Sequence, residues 1–128
     1  SSGKLAQVEF KVDALDTVGH FMLESWNPDS SYNRWGFYFV DHPHLQQVDH
    51  YPPNWQDIDF PSYPIKINTW YVVILRVDDS NQFYAKVYEK NNPSNFIDYS
   101  HSMPAGLNWN FHHWIYRNTA YIDNYMEI

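Results

Sequence analysis

The sequence predicts an all-β domain, an antiparallel two-sheet β-sandwich of jelly-roll type with essentially no helix. Three observations predict it. Apolar and polar residues alternate with period 2 through every long segment. No window keeps an apolar 3.6-residue repeat for three turns. Clusters of Asn, Asp, Pro and Ser break the chain into about eight or nine strands at roughly ten-residue spacing.

Each element follows from its own residues. Over residues 7–13, Val8, Phe10 and Val12 share one face, with Gln7, Glu9, Lys11 and Asp13 on the other. Residues 20–26 set Phe21, Leu23 and Ser25 against His20, Met22, Glu24 and Trp26, and the turn material from Asn27 to Ser31 ends the pairing. Residues 34–41 read as a strand that is aromatic on both faces, with Trp35, Phe37 and Phe39 opposed to Tyr38 and Val40. A short strand is expected near residues 45–51. Pro52, Pro53, Pro61 and Pro64 follow, so residues 51–64 can be an ordered loop or an edge but not a central strand. Residues 70–78 and 82–90 form a hairpin around Asp79-Ser80-Asn81. Asn91 to Asn95 reads as a turn into a strand over 96–102, and segments 109–117 and 119–128 make the last pair. Ser1-Ser2-Gly3 reads as a linker end, so residues 4–128 are expected to be one module of a longer protein.

Composition narrows the function. The 128 residues suit one domain whose core needs no cross-links. The absence of cysteine excludes disulfides, thiolate metal sites and a cysteine nucleophile. A formal net charge of −7 repels phosphate backbones, so neither nucleic acid nor an anionic membrane is an expected partner. No apolar run reaches the roughly 18 residues that a spanning helix needs. Aromatic residues make up 20% of the chain, more than so small a core can hide. Exposed rings point to a ligand that stacks on them.

The segment Asn68-Thr69-Trp70-Tyr71, followed by Val73, Leu75, Arg76 and Val77 and then by Phe83 to Tyr88, resembles the W-Y-x-x-x-x-R-V hairpin of laminin-G-like and concanavalin-like jelly rolls. The closing run from Ala120 to Ile128 resembles their terminal x-x-D-x-V-x-V strand. The likeness covers about a third of the chain and includes non-catalytic carbohydrate-binding modules and laminarinase-type glucanases. Residues 26–64 resemble nothing in that family. The glucanases carry Glu-x-Asp-x-x-Glu on one strand face, and retaining hydrolysis needs two carboxyl groups about 5–5.5 Å apart. The nearest match here is Asp57-Ile58-Asp59, with Pro61 and Ser62 where the final Glu should stand. The resemblance also implies a structural Ca²⁺ at Asp123, completed by backbone carbonyls near Val8 or Glu9. The alternative for Asp123, placed on one strand face with Tyr121 and Tyr125, is a hydrogen-bonded carboxylate tying strand ends together.

Other chemistries find little support. His112 and His113 are neighbours on a strand and point to opposite faces, so they cannot chelate one ion together. His42-Pro43-His44 lacks the spacing of a helical zinc pair. Surface or packing histidines are expected. No Gly-x-Ser-x-Gly occurs.

The proline-stiffened segment carries the functional expectation. Tyr51, Trp55, Phe60 and Tyr63 stand among Asn54, Gln56, Asp57 and Asp59, which suits rings that take the C–H face of a sugar and polar groups that take its hydroxyls. The alternative is that these rings fold back as a lid over an open sandwich edge. Trp26, Trp35 and Trp114 are strand-borne candidates, at least one of them core. The expected site is Tyr51, Trp55 and Tyr63, extended by Trp35, with Arg34 and Asp57 bonding hydroxyls. The expected function is a secreted or cell-surface, non-catalytic carbohydrate-binding module, monomeric and tethered to other domains. It would recognise a neutral polysaccharide. A structural or interaction β-sandwich of a large bacterial surface protein, or a glucanase-like hydrolase, are the alternatives.

Overall fold

The computed structural model describes residues 3–14, 18–26, 32–39, 43–48, 55–60, 62–102, 109–116 and 120–127. Ten strands run through them: β1 (Lys4–Val12), β2 (Val18–Trp26), β3 (Tyr32–Phe39), β4 (Pro43–Val48), β5 (Trp55–Asp59), β6 (Tyr71–Val77), β7 (Gln82–Glu89), β8 (Asn92–Ser102), β9 (Asn110–Tyr116) and β10 (Ala120–Glu127). They form two five-stranded sheets, ordered β10-β1-β6-β7-β8 and β5-β4-β3-β2-β9. All pairs are antiparallel, and the described residues contain no helix. The fold class is the expected one.

Segment ends shift by a few residues from expectation, and β9 and β10, expected to pair with each other, join different sheets. The proline-rich segment contains a strand, β5, which sits at the edge of its sheet and lies wholly between Pro53 and Pro61. No proline falls within β5, as the missing N–H demands, and the edge reading of this segment holds. The turn expected from Asn91 to Asn95 is largely strand: β8 begins at Asn92, and Glu89 pairs with Asn92 across an irregularity. Pro93 is tolerated because β8 is the other kind of edge, with one side unpaired.

The period-2 pattern decides what is buried. Phe10 of β1 stacks at 5.0 Å on Phe39 and at 5.3 Å on Tyr71, and meets Phe21 at 5.1 Å, so rings from both sheets converge at one point. Val8, Val73, Leu75, Phe83 and Val87 complete one wall, and Leu23, Trp35 and Phe37 the other. At the β6–β7 hairpin, Asp78 Oδ1 accepts hydrogen bonds from the N–H groups of Ser80 (2.9 Å) and Gln82 (3.0 Å). Asn81 takes the left-handed conformation there, φ 60°, a role that asparagine tolerates.

Candidate ligand-binding faces

The antiparallel register lines up residues across the outer face of the second sheet. One row runs Trp55, Val48, Arg34, Glu24, Asn110, and the next Asp57, Gln46, Gly36, Met22, His112. A third runs Asp59, His44, Tyr38, His20, Trp114. Three expected site residues, Trp55, Asp57 and Arg34, therefore hold register positions on one face. Tyr51 lies outside the described residues, as do the side chains of Trp26, Trp55 and Asp57.

Trp35 and Tyr63 are corrections. Trp35 is 2% exposed, pairs with Leu23 on the inner face, and stacks on His101 at 5.0 Å with rings nearly parallel. Because β3 is aromatic on both faces, alternation alone did not say which face turns inward. Tyr63 is 5% exposed, donates its hydroxyl to Asn95 O at 2.7 Å, and meets Tyr71 edge-on at 6.3 Å. Burial raises its pKa above the usual phenol range. Phe60 also packs against the core. For these two rings the lid reading holds: they close the sandwich instead of opening to a ligand.

A cluster that sequence spacing did not single out lies on the same outer face. His20 and Glu24 are four apart on β2 and so share a side, and β9 brings in His112 beside Met22. His20 Nε2 and His112 Nδ1 are 2.9 Å apart, and His112 Nδ1 is 3.6 Å from Glu24 Oε1. Arg34 approaches the same oxygen at 3.8 Å. Burial, then Arg34, His112 and His113, push the His20 pKa down to about 4, so this imidazole is neutral at pH 7. Trp114, 44% exposed, leans on His20 with centroids 5.8 Å apart. His112 and His113 do diverge; the partner of His112 comes from the next strand, which only pairing register could reveal.

The outer face of the first sheet carries a different surface. Its rows read Val72, Tyr88, Phe96; Ile74, Lys86, Asp98; and Arg76, Tyr84, Ser100. The last two rows frame a depression of about 600 Å³, within the size range of small-ligand sites. Tyr84 and Phe96 are 37% and 44% exposed. The Arg76 guanidinium lies 4.3 Å from the Tyr84 centroid, and the Lys86 ammonium 4.5 Å from that of Phe96.

Asp123 sits at the far edge of this sheet, opposite Glu9. An extra residue in β10 shifts the register there, and Asn124 takes φ 50°. The bulge turns Tyr125 toward Phe111 of the other sheet (5.1 Å), so it does not share the Asp123 face. Asp123 Oδ1 accepts the Asn124 N–H at 2.8 Å, a local cap rather than a tie between strand ends. Glu9 Oε1 is bonded by Lys90 Nζ (2.8 Å) and Asn124 Nδ2 (2.9 Å). The Lys90 ammonium, whose pKa these carboxylates raise, supplies the positive charge that a calcium ion would bring. The donor set at Asp123 therefore does not fit Ca²⁺.

No family model matches the chain, and no curated protein does. Among solved structures it is similar to the CBM2 module of an evolved Dit protein from Lactobacillus casei BL23 phage J-1, with a TM-score of 0.59 and 9% identity. That match covers 98% of this chain and 60% of the phage chain. It is also similar to scytalido-glutamic peptidase, with a TM-score of 0.48, 12% identity, and coverage of 88% and 59%. The chain thus spans about three-fifths of the length of either neighbour. The likeness to the phage module shows a shared fold and nothing more.

Proposed function

We propose that the chain is a non-catalytic carbohydrate-binding module that holds a neutral polysaccharide across the outer face of the first sheet. The observation that carries this is the exposed ring of Tyr84 set beside Arg76, Lys86, Asp98 and Ser100 around one depression, with the exposed ring of Phe96 next to it under the Lys86 ammonium. Rings take the apolar face of a sugar, and the charged and hydroxyl groups supply donors and acceptors to its rim. Asp98 is the single carboxylate among the residues that line the depression, which favours binding over the two-carboxylate chemistry of glycoside hydrolysis. Each cation there already lies over a ring, and the net charge of −7 disfavours a polyanionic chain. The phage module named as a CBM2 neighbour agrees with this reading and contributes the fold alone.

Affinity electrophoresis through gels cast with neutral polysaccharides tests it. Stacking on nucleobases contributes roughly 1–3 kcal/mol per ring; with sugar stacking no stronger, two rings give micromolar-to-millimolar binding. At least one neutral polysaccharide should retard the protein, and Tyr84→Ala or Phe96→Ala should abolish the retardation. Retardation lost in Trp55→Ala but kept in Tyr84→Ala would move the site to the second sheet. No retardation by any glycan would favour a structural sandwich.

A further inference from the structure

We propose that His20, Glu24 and His112 form a binding site for a divalent transition metal, zinc by ligand type, on the outer face of the second sheet. Each residue offers one ligand atom, and the three atoms lie within 4.8 Å of one another. Zinc bound at about 2.0–2.1 Å in tetrahedral geometry sets its ligand atoms roughly 3.3 Å apart. The His20–His112 and His112–Glu24 separations of 2.9 Å and 3.6 Å bracket that value and the third pair lies within 4.8 Å, so side-chain movements alone admit the ion. Two imidazoles and one carboxylate are a zinc donor set that leaves a fourth position for water or a ligand oxygen.

The backbone holds these side chains in place. His20 and Glu24 flank Met22 on one face of β2, and His112 pairs with Met22 between them, so a triangle spans β2 and the edge strand β9. Met22 is fully buried and rests over Gly36, whose missing Cβ leaves room for its sulfur. Beneath the triangle the sheet is therefore closed and apolar. His20 is half-buried on this face. Arg34 shares Glu24 and opposes the cation, so the site is weaker than its ligand count alone implies. Bound metal would pin the edge strand β9 to β2.

Isothermal titration of the whole chain with zinc chloride tests the proposal. One zinc per chain is expected, with a rise in Tm because the ion binds the native arrangement. His112→Ala should weaken binding at least tenfold and remove the rise in Tm, and Glu24→Gln should weaken it less. His113→Ala, on the opposite face, should bind as the parent does. His112 is exposed on an edge strand, so its loss should leave the circular dichroism spectrum intact; if it does not, His112→Gln takes its place. Absence of binding overturns the proposal, as does zinc affinity that is unchanged when position 112 is replaced.

Discussion

The two outer faces of this sandwich arise from the same alternation and carry opposite chemistry. On the first sheet, the outward rows of β6, β7 and β8 bring Tyr84, Tyr88 and Phe96 together with Arg76 and Lys86, and cations lie over the rings of Tyr84 and Phe96. On the second, glycine and methionine sit mid-row at Gly36 and Met22, and imidazoles and a carboxylate cluster beside them. The first face presents flat apolar area ringed by hydrogen-bonding groups, which suits an extended neutral ligand. The second presents converging lone pairs, which suit an ion. Strand periodicity assigns residues to a face. What the face does depends on which residues the neighbouring strands place alongside.

The largest expected effects separate the core of one sheet from its edge strand. Trp35→Ala should cost about 3–5 kcal/mol in urea unfolding, because the indole is buried between Phe83, Tyr99 and His101. Trp55→Ala, at the edge of the same sheet, should stay within about 1 kcal/mol of the parent. Next door, Gly36→Ala should cost about 1–3 kcal/mol, since a Cβ there would meet the Phe21 carbonyl and stand 2.8 Å from Met22 Cα. A tolerant Gly36→Ala protein would mean that the floor of the second face is soft enough to give way around a Cβ.

A second expectation concerns ligands. Trp114→Ala should leave glycan retardation intact while Tyr84→Ala removes it, which would confine sugar binding to the first sheet. Metals should divide the other way. Zinc should raise Tm and calcium should not, and Asp123→Ala should respond to calcium as the parent does, because Lys90 already neutralises that edge. A calcium-dependent Tm lost in Asp123→Ala would reverse this assignment.

The smallest effect is a pH dependence at the end of the first sheet. Glu89 is held by Lys66, and Asn95 Nδ2 donates to it at 2.8 Å. The Lys66 hydrogen bond, outweighing burial and joined by Asn95, lowers its pKa below the usual carboxylate value. A carboxyl group that is more acidic in the folded state adds stability above its unfolded pKa, and loses it as pH falls through the folded value. Glu89→Gln should therefore be less stable than the parent at pH 7. The difference should close as the pH drops below about 4, in urea melts across that range.

By itself the sequence determined the all-β class, the β6–β7 hairpin and the alternation that lines the core, because these depend on period-2 burial and local turn chemistry. Val8, Phe10 and Val12 of β1 face inward as their spacing required. It also determined that the proline-rich segment could supply no central strand, since proline lacks the donor a ladder needs. Tertiary structure decided which face of the doubly aromatic β3 turns inward, and so sent Trp35 to the core. It folded Phe60 and Tyr63 over the sandwich edge, where burial and the Asn95 carbonyl hold the phenol. Register alone joined His20 and Glu24 to a histidine 92 positions beyond His20, and set Lys90 against Glu9, across from Asp123. The physical reason is the same in each case. Alternation says that a residue faces one side of its own strand, whereas a site needs side chains from several strands at one height, and that height is set by long-range pairing no local pattern encodes.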